Sequence, residues 1–104
     1  MEHDGMPREL RPFLNDRGQL TALPAKHRKK LLAIYYLAGR FAPGRSYTEA
    51  EVNDLLDDWT AFHDPATLRR ELFNHFLLNR TPDGSRYWAA EALPPLEAFI
   101  AQHI

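Results

Sequence analysis

Between residues 45 and 88 the sequence orders one short strand, two short helices and a hairpin, each marked by its own local chemistry. Thr48, Glu49, Ala50 and Glu51 have the form of a capping box. The threonine hydroxyl can accept from the backbone N–H three residues on, and the glutamate carboxylate can reach back. Val52, Leu55, Leu56 and Trp59 follow at helical spacing, with an acidic face opposite. Residues 60–63 break the pattern. Asp64 is an N-cap residue type, and Pro65 suits a first helical position, where its missing N–H costs nothing. Leu68, Leu72, Phe73 and Phe76 predict the buried face of this helix. Residues 77–80 and 85–88 read as strands around Thr81, Pro82, Asp83 and Gly84, with reversal expected at Asp83 and Gly84. Residues 45–47 suit a minimal strand ending in an aromatic.

The flanking segments add three elements. Residues 12–21 predict a small hairpin with Gly18 at the position of positive φ. Residues 1–11 are polar and expected to fray. A helix is expected from Pro24, at its first position, to about Gly39. Leu31, Ile34, Tyr35 and Ala38 give it one apolar face and Leu32 and Tyr36 a second, so it should lie centrally. A last helix over 94–103, opened by Pro94 and Pro95, carries Leu96, Phe99, Ile100 and Ile104 at helical spacing. Those residues predict association, either with their own domain or with a second copy or protein partner.

A chain of 104 residues supports one domain over 1–104, with its core in 24–88. With no cysteine, the core is built without disulfides, which excludes thiol catalysis and thiolate metal sites and suits a reducing compartment. No apolar run approaches the roughly 20 residues of a membrane span. The first residues lack the basic start and apolar stretch of a signal peptide, so the cytoplasm is the expected location.

Helix, strand, helix, helix, strand, turn, strand is the order of a winged helix-turn-helix. The expected class is mainly α with a small β-sheet (α+β), with an N-terminal hairpin and a C-terminal helix added. Four runs carry a further resemblance: L-P-A-K-H-R-K-K-L-L-A-I-Y-Y-L-A, F-A-P-G-R-S-Y-T-E-A-E-V-N-D-L-L, H-D-P-A-T-L-R-R-E-L and D-G-S-R-Y-W. Together they resemble the bacterial domain of unknown function 2087 over roughly residues 13–88. The resemblance implies a winged-helix domain with a role in transcriptional regulation. It brings no established catalytic or ligand residues. Some members are attached to a separate helix-turn-helix domain, which these 104 residues do not contain.

Double-stranded DNA is the partner this order suggests, and the third helix is its candidate reader. A helical wheel sets Thr67, Arg70 and Asn74 opposite the apolar face, with Glu71 at the margin. Arginine and asparagine make bidentate contacts to guanine and adenine edges. A solvated polar face is the competing reading. Arg80 and Arg86 on the hairpin could meet phosphate, which positions a protein without reading sequence. Cross-strand pairing with acidic neighbours is the alternative. Arg69 falls within the apolar arc and predicts an ion pair with an acidic residue of the second helix. Lys26, Arg28, Lys29 and Lys30 read first as a solvated face and second as phosphate contacts.

The net charge of −1 opposes simple phosphate attraction, so any DNA affinity must come from segregated charge. That balance supports a second reading, a protein-interaction module on the same scaffold. A third is a ligand sensor with a pocket lined by Tyr35, Tyr36 and Trp59. The histidines at 3, 27, 63, 75 and 103 have no i, i+4 pair, so neither metal nor cofactor is expected. No nucleophile motif, phosphate loop or dinucleotide fingerprint supports an enzyme.

Overall fold

In a computed structural model, residues 8–103 are described. His3 and Ile104, which figure in the expectations above, lie outside the described residues. A 3-10 helix, Arg8–Phe13, leads into α1 (His27–Ala38), β1 (Ser46–Tyr47), α2 (Glu49–Asp58), α3 (Pro65–Asn74), β2 (Leu78–Arg80), β3 (Tyr87–Ala89) and α4 (Leu96–His103). The three strands form one antiparallel sheet in the order β1-β3-β2. The class is therefore α+β.

α1 is the centre. Leu31, Leu32, Ala33, Ile34, Tyr36, Leu37 and Ala38 are all buried, which leaves little of its circumference to solvent beyond the first turn. The 3-10 helix, α3 and α4 each pack on it. Pro24 does not open this helix. It is buried in the approach, and Lys26 occupies the N-cap without a side-chain hydrogen bond. Residues 8–11 also depart from the frayed expectation, because Leu10 is fully buried in the core. One apolar residue in a polar stretch has no period to reveal it.

The expected N-terminal hairpin is present as a single antiparallel bridge between Leu14 and Leu20. Its turn uses Gly18 at φ +77°. The Asn15 side-chain oxygen accepts from the N–H groups of Arg17 and Gln19 at 2.9 and 3.0 Å. Leu20 then pairs in parallel with Thr60: its N–H donates to Trp59 and its carbonyl accepts from Ala61, both at 2.8 Å. This ties the hairpin to the exit of α2. The Thr48 capping box forms as expected, with both reciprocal bonds at 2.9 and 3.1 Å.

α4 lays Phe99 and Ile100 on its own chain, buried, with Leu96 packed beside them. The Pro95 carbonyl accepts the first bond of this helix from Phe99 at 2.9 Å, and the Tyr35 hydroxyl donates to the Pro94 carbonyl at 2.6 Å. At its other end the His103 ring lies 4.7 Å from Phe99 and 4.9 Å from His75, and its carbonyl meets the His27 ring at 2.6 Å.

Two phenylalanines correct the expected core. Leu31, Ile34, Val52, Leu56, Leu68 and Leu72 are buried and Leu55 is packed against them, but Phe73 is 37 % exposed and Phe76 is 72 % exposed. α3 stops at Asn74. The Leu77 N–H reaches back to Leu72 at 2.9 Å and the Phe76 N–H to Phe73 at 3.1 Å, the paired bonds of a Schellman stop. Phe76 occupies its left-handed position at φ +62° and is turned outward, while Leu77 fills the slot against Leu72. Glycine is the usual occupant, because a Cβ there costs about 1–2 kcal/mol.

Leu72→Ala should cost about 2–5 kcal/mol. Phe76→Gly, losing an exposed ring and a strained backbone, should raise stability by about 1 kcal/mol. Denaturant titration of the two variants distinguishes this placement from one that buries both. Burial lowers the His103 pKa, and the charges of His75 and His27 lower it further. A depressed histidine contributes stability above its ordinary pKa that is lost as pH falls through the folded value. The unfolding midpoint should therefore drop between about pH 7 and 5, and His103→Gln should flatten part of that drop.

Candidate functional site

α3 is held in place from both ends and from both sides. Asp64 accepts from the Thr67 N–H at 3.5 Å with Pro65 in the first turn. Leu68 and Leu72 anchor its inner face. As expected, Arg69 turns to α2, bonding the Asn53 side-chain oxygen and pairing with Glu49 at 3.7 Å. On the other flank Glu71 binds Lys30 of α1 at 2.9 Å. These contacts leave Arg70 and Asn74 exposed on the outer face, and neither side chain has a partner among the described residues.

The β2–β3 hairpin stands beside that face. Leu78 pairs with Ala89, Asn79 with Trp88 and Arg80 with Tyr87, a register centred on Asp83 and Gly84 as expected. The ladder stops earlier than expected, at Arg80 and Tyr87, because the tip closes as a turn in which Gly84 N–H meets the Thr81 carbonyl at 2.9 Å. Pro82 presets the first bend, and Gly84 takes φ +72°. Asp83 Oδ1 accepts from the Thr81 hydroxyl, the Ser85 N–H and the Ser85 hydroxyl at 2.7, 3.0 and 2.8 Å. Those donors, the Thr81 hydroxyl first, lower the Asp83 pKa to about 2.

Register decides where the hairpin arginines go. Arg80 shares a face with buried Tyr87, so it turns toward α3, stacked 4.7 Å over the Phe73 ring. Its Nη1 donates to the carbonyls of Thr81 and Pro82 at 3.3 and 3.4 Å. Between α3 and the hairpin lies a cleft of about 280 Å³ bordered by Arg69, Arg70, Phe73, Asn74, Arg80 and Tyr87. The structure thus brings together Arg70, Asn74 and Arg80. It leaves Thr67 half-buried outside the cleft and Arg86 exposed, with its charge acting on Glu51 of α2. Sequence reasoning missed Phe73 and Tyr87 as cleft walls. The alternation of β3 was the available signal for Tyr87.

Other expectations resolve differently. Two members of the basic cluster are committed: Arg28 to Glu9, with Nε 3.1 Å from the carboxylate, and Lys30 to Glu71. Tyr35, Tyr36 and Trp59 do not line one pocket. The Tyr35 hydroxyl goes to Pro94 beside α4, whereas Tyr36 bonds the Gly18 carbonyl at 2.7 Å and meets Trp59 edge-on under Arg40. Among the described residues no group of three or more His, Cys, Asp or Glu side chains could hold a metal ion. No helix among them is long and apolar enough to cross a membrane.

Fold and site together define an α+β domain whose third helix and hairpin enclose an arginine-lined cleft. The chain belongs to the DUF2087 family, described as an uncharacterized protein conserved in bacteria, whose profile matches residues 19–89. The matched segment contains every residue of the cleft; the 3-10 helix and α4 fall outside it. No curated protein and no solved structure matches the chain.

Asp83 supplies a pH-dependent prediction. A carboxylate with a depressed folded pKa contributes stability above its ordinary pKa that disappears as pH falls through the folded value. Asp83→Ala should lower the unfolding midpoint at neutral pH. The difference from the parent chain should shrink from about pH 4 downward and vanish near pH 2. Thermal scans across that range check it, and a constant difference would place the effect elsewhere.

Proposed function

We propose that the chain is a DNA-binding regulator with a winged helix-turn-helix arrangement, in which α3 enters the major groove and the β2–β3 hairpin acts as the wing. The observation that carries this reading is the pairing of Arg70 and Asn74, unpartnered among the described residues on the outer face of α3, with Arg80 across the cleft. The order of elements and the β1-β3-β2 sheet support it. Arg70 and Asn74 are the base readers, with Thr67 at the same helix and Arg80 and Arg86 as phosphate contacts. No catalytic role or cofactor is part of the proposal, and the cytoplasm is the proposed location. Phe99 and Ile100 of α4 are buried within the chain, so pairing with a second copy through α4 would use its outer face.

The alternative is a protein-interaction module, favoured by one observation. Phe76 projects from the end of α3 at 72 % exposure, and apolar anchors of this kind suit protein partners. Titration of random-sequence duplex DNA across a salt series separates the two. The DNA reading expects binding that weakens steeply with salt. Arg70→Ala should cost about 1–3 kcal/mol and relax base preference. Arg80→Ala should weaken all duplexes alike and reduce the salt slope by about 1. Absence of duplex binding even at low salt would leave the interaction module.

A further inference from the structure

The geometry points to a phosphate seat in the cleft between α3 and the hairpin, in which Arg70, Arg80 and the Tyr87 hydroxyl hold one phosphate group. Among the described residues three guanidinium groups border the cleft and no carboxylate does. Guanidinium groups match the oxygens of a phosphate in a fork geometry that a solvated ammonium lacks. Arg69 is already engaged with Glu49 and Asn53, so it backs the site with charge. Arg70 has no side-chain partner among the described residues. Arg80 is held in position by the Phe73 ring beneath it and by two loop carbonyls.

A second observation is independent of the charge. Tyr87 borders the cleft, is only 5 % exposed, and its hydroxyl has no hydrogen-bond partner among the described residues. The ring is buried while the hydroxyl opens on the cleft, where solvent or a ligand oxygen can meet it. Both the Tyr87 hydroxyl and Arg80 Nη1 lie beside Gly84, within 3.9 and 3.5 Å of where a Cβ would stand there. Nη1 is committed to the two loop carbonyls, so a ligand oxygen beside the Tyr87 hydroxyl would accept from that hydroxyl and from Arg80 Nε or Nη2, which bond nothing among the described residues. The size of the cleft, about 280 Å³, falls below the roughly 300–1,000 Å³ of pockets for drug-sized ligands. It suits one phosphate and the atoms next to it, either a phosphodiester of a duplex or a free phosphate ion. Only the first source rests on the DNA reading; the seat itself does not. A phosphodiester seated there takes Arg70 from base reading, leaves Asn74 as the reader on α3, and expects Arg70→Ala to weaken all duplexes alike.

Inorganic phosphate is titrated into the full chain at constant ionic strength, with chloride as the balancing ion, following arginine Nε–H and Tyr87 ring resonances. Saturable shifts are expected at Arg70, Arg80 and Tyr87. Tyr87→Phe should weaken phosphate binding roughly tenfold, the loss of one hydrogen bond to a charged group. Its unfolding midpoint without phosphate should stay unchanged, because the lost hydroxyl bonds nothing among the described residues. Arg70→Gln, at an exposed position, should weaken binding likewise, whereas Arg17→Gln should not. Absence of saturable shifts, or equal binding by Tyr87→Phe and Arg70→Gln, overturns the seat.

A labelled duplex forms the second arm. Displacement by phosphate but not by chloride of equal ionic strength supports the seat and identifies the phosphodiester as its occupant. Phosphate binding without duplex binding supports it as a site for the free anion and removes the DNA reading. Duplex binding without phosphate shifts leaves the DNA reading standing and overturns the seat.

Discussion

The described elements are arranged around α1, a helix buried on nearly every side beyond its first turn. α1 buries two runs of side chains, Leu31 to Ile34 and Tyr36 to Ala38, so one neighbouring layer cannot cover it. Each leucine or isoleucine moved from water contributes about 1.5–3 kcal/mol, which makes leaving any side open costly. Leu10 of the 3-10 helix, Leu68 and Leu72 of α3, and Phe99 and Ile100 of α4 belong to the resulting core. The 3-10 helix and α4 lie outside the family segment 19–89, yet both cover the central helix of that segment.

The same demand sets the orientation of the candidate site. Because Leu68 and Leu72 must face α1, the opposite face of α3 carries Arg70 and Asn74 outward. Arg69 and Glu71 lie on the flanks, where they bind α2 and α1 and fix the roll of the helix. A helix secured by apolar contacts beneath and ion pairs on both shoulders presents its outer side chains in a defined direction. The charges are sorted accordingly, with arginines at the cleft and acids along α2.

What could be read from the sequence was chemistry completed within a few residues. The Thr48 and Glu51 box, the Asp64 cap with Pro65, and glycines 18 and 84 each solve a local backbone problem, so neighbours announce the solution. The ion pair of Arg69 was legible from its place on the helical wheel. What escaped depended on competition or distance. Phe76 fits the helical period but loses its core position to Leu77, because the Schellman stop brings only one of them inward. Leu10 is buried by residues far along the chain. The turn of Arg80 toward α3 follows from its pairing with buried Tyr87, a tertiary consequence of strand alternation. Of the five expected contact residues, the cleft collects Arg70, Asn74 and Arg80, while Thr67 and Arg86 stand apart from it.

The junction between α3 and β2 has a consequence of its own. Only His75, Phe76 and Leu77 separate the last residue of the helix from the first of the strand, and the Leu77 N–H is bonded back to Leu72. The two walls of the cleft are therefore continuous through a locked corner. Closing such a corner around a ligand leaves little backbone freedom to surrender, so a group entering the cleft meets preorganised walls. That favours recognition by fixed spacing between α3 and the hairpin over recognition by a hinge that folds onto its target.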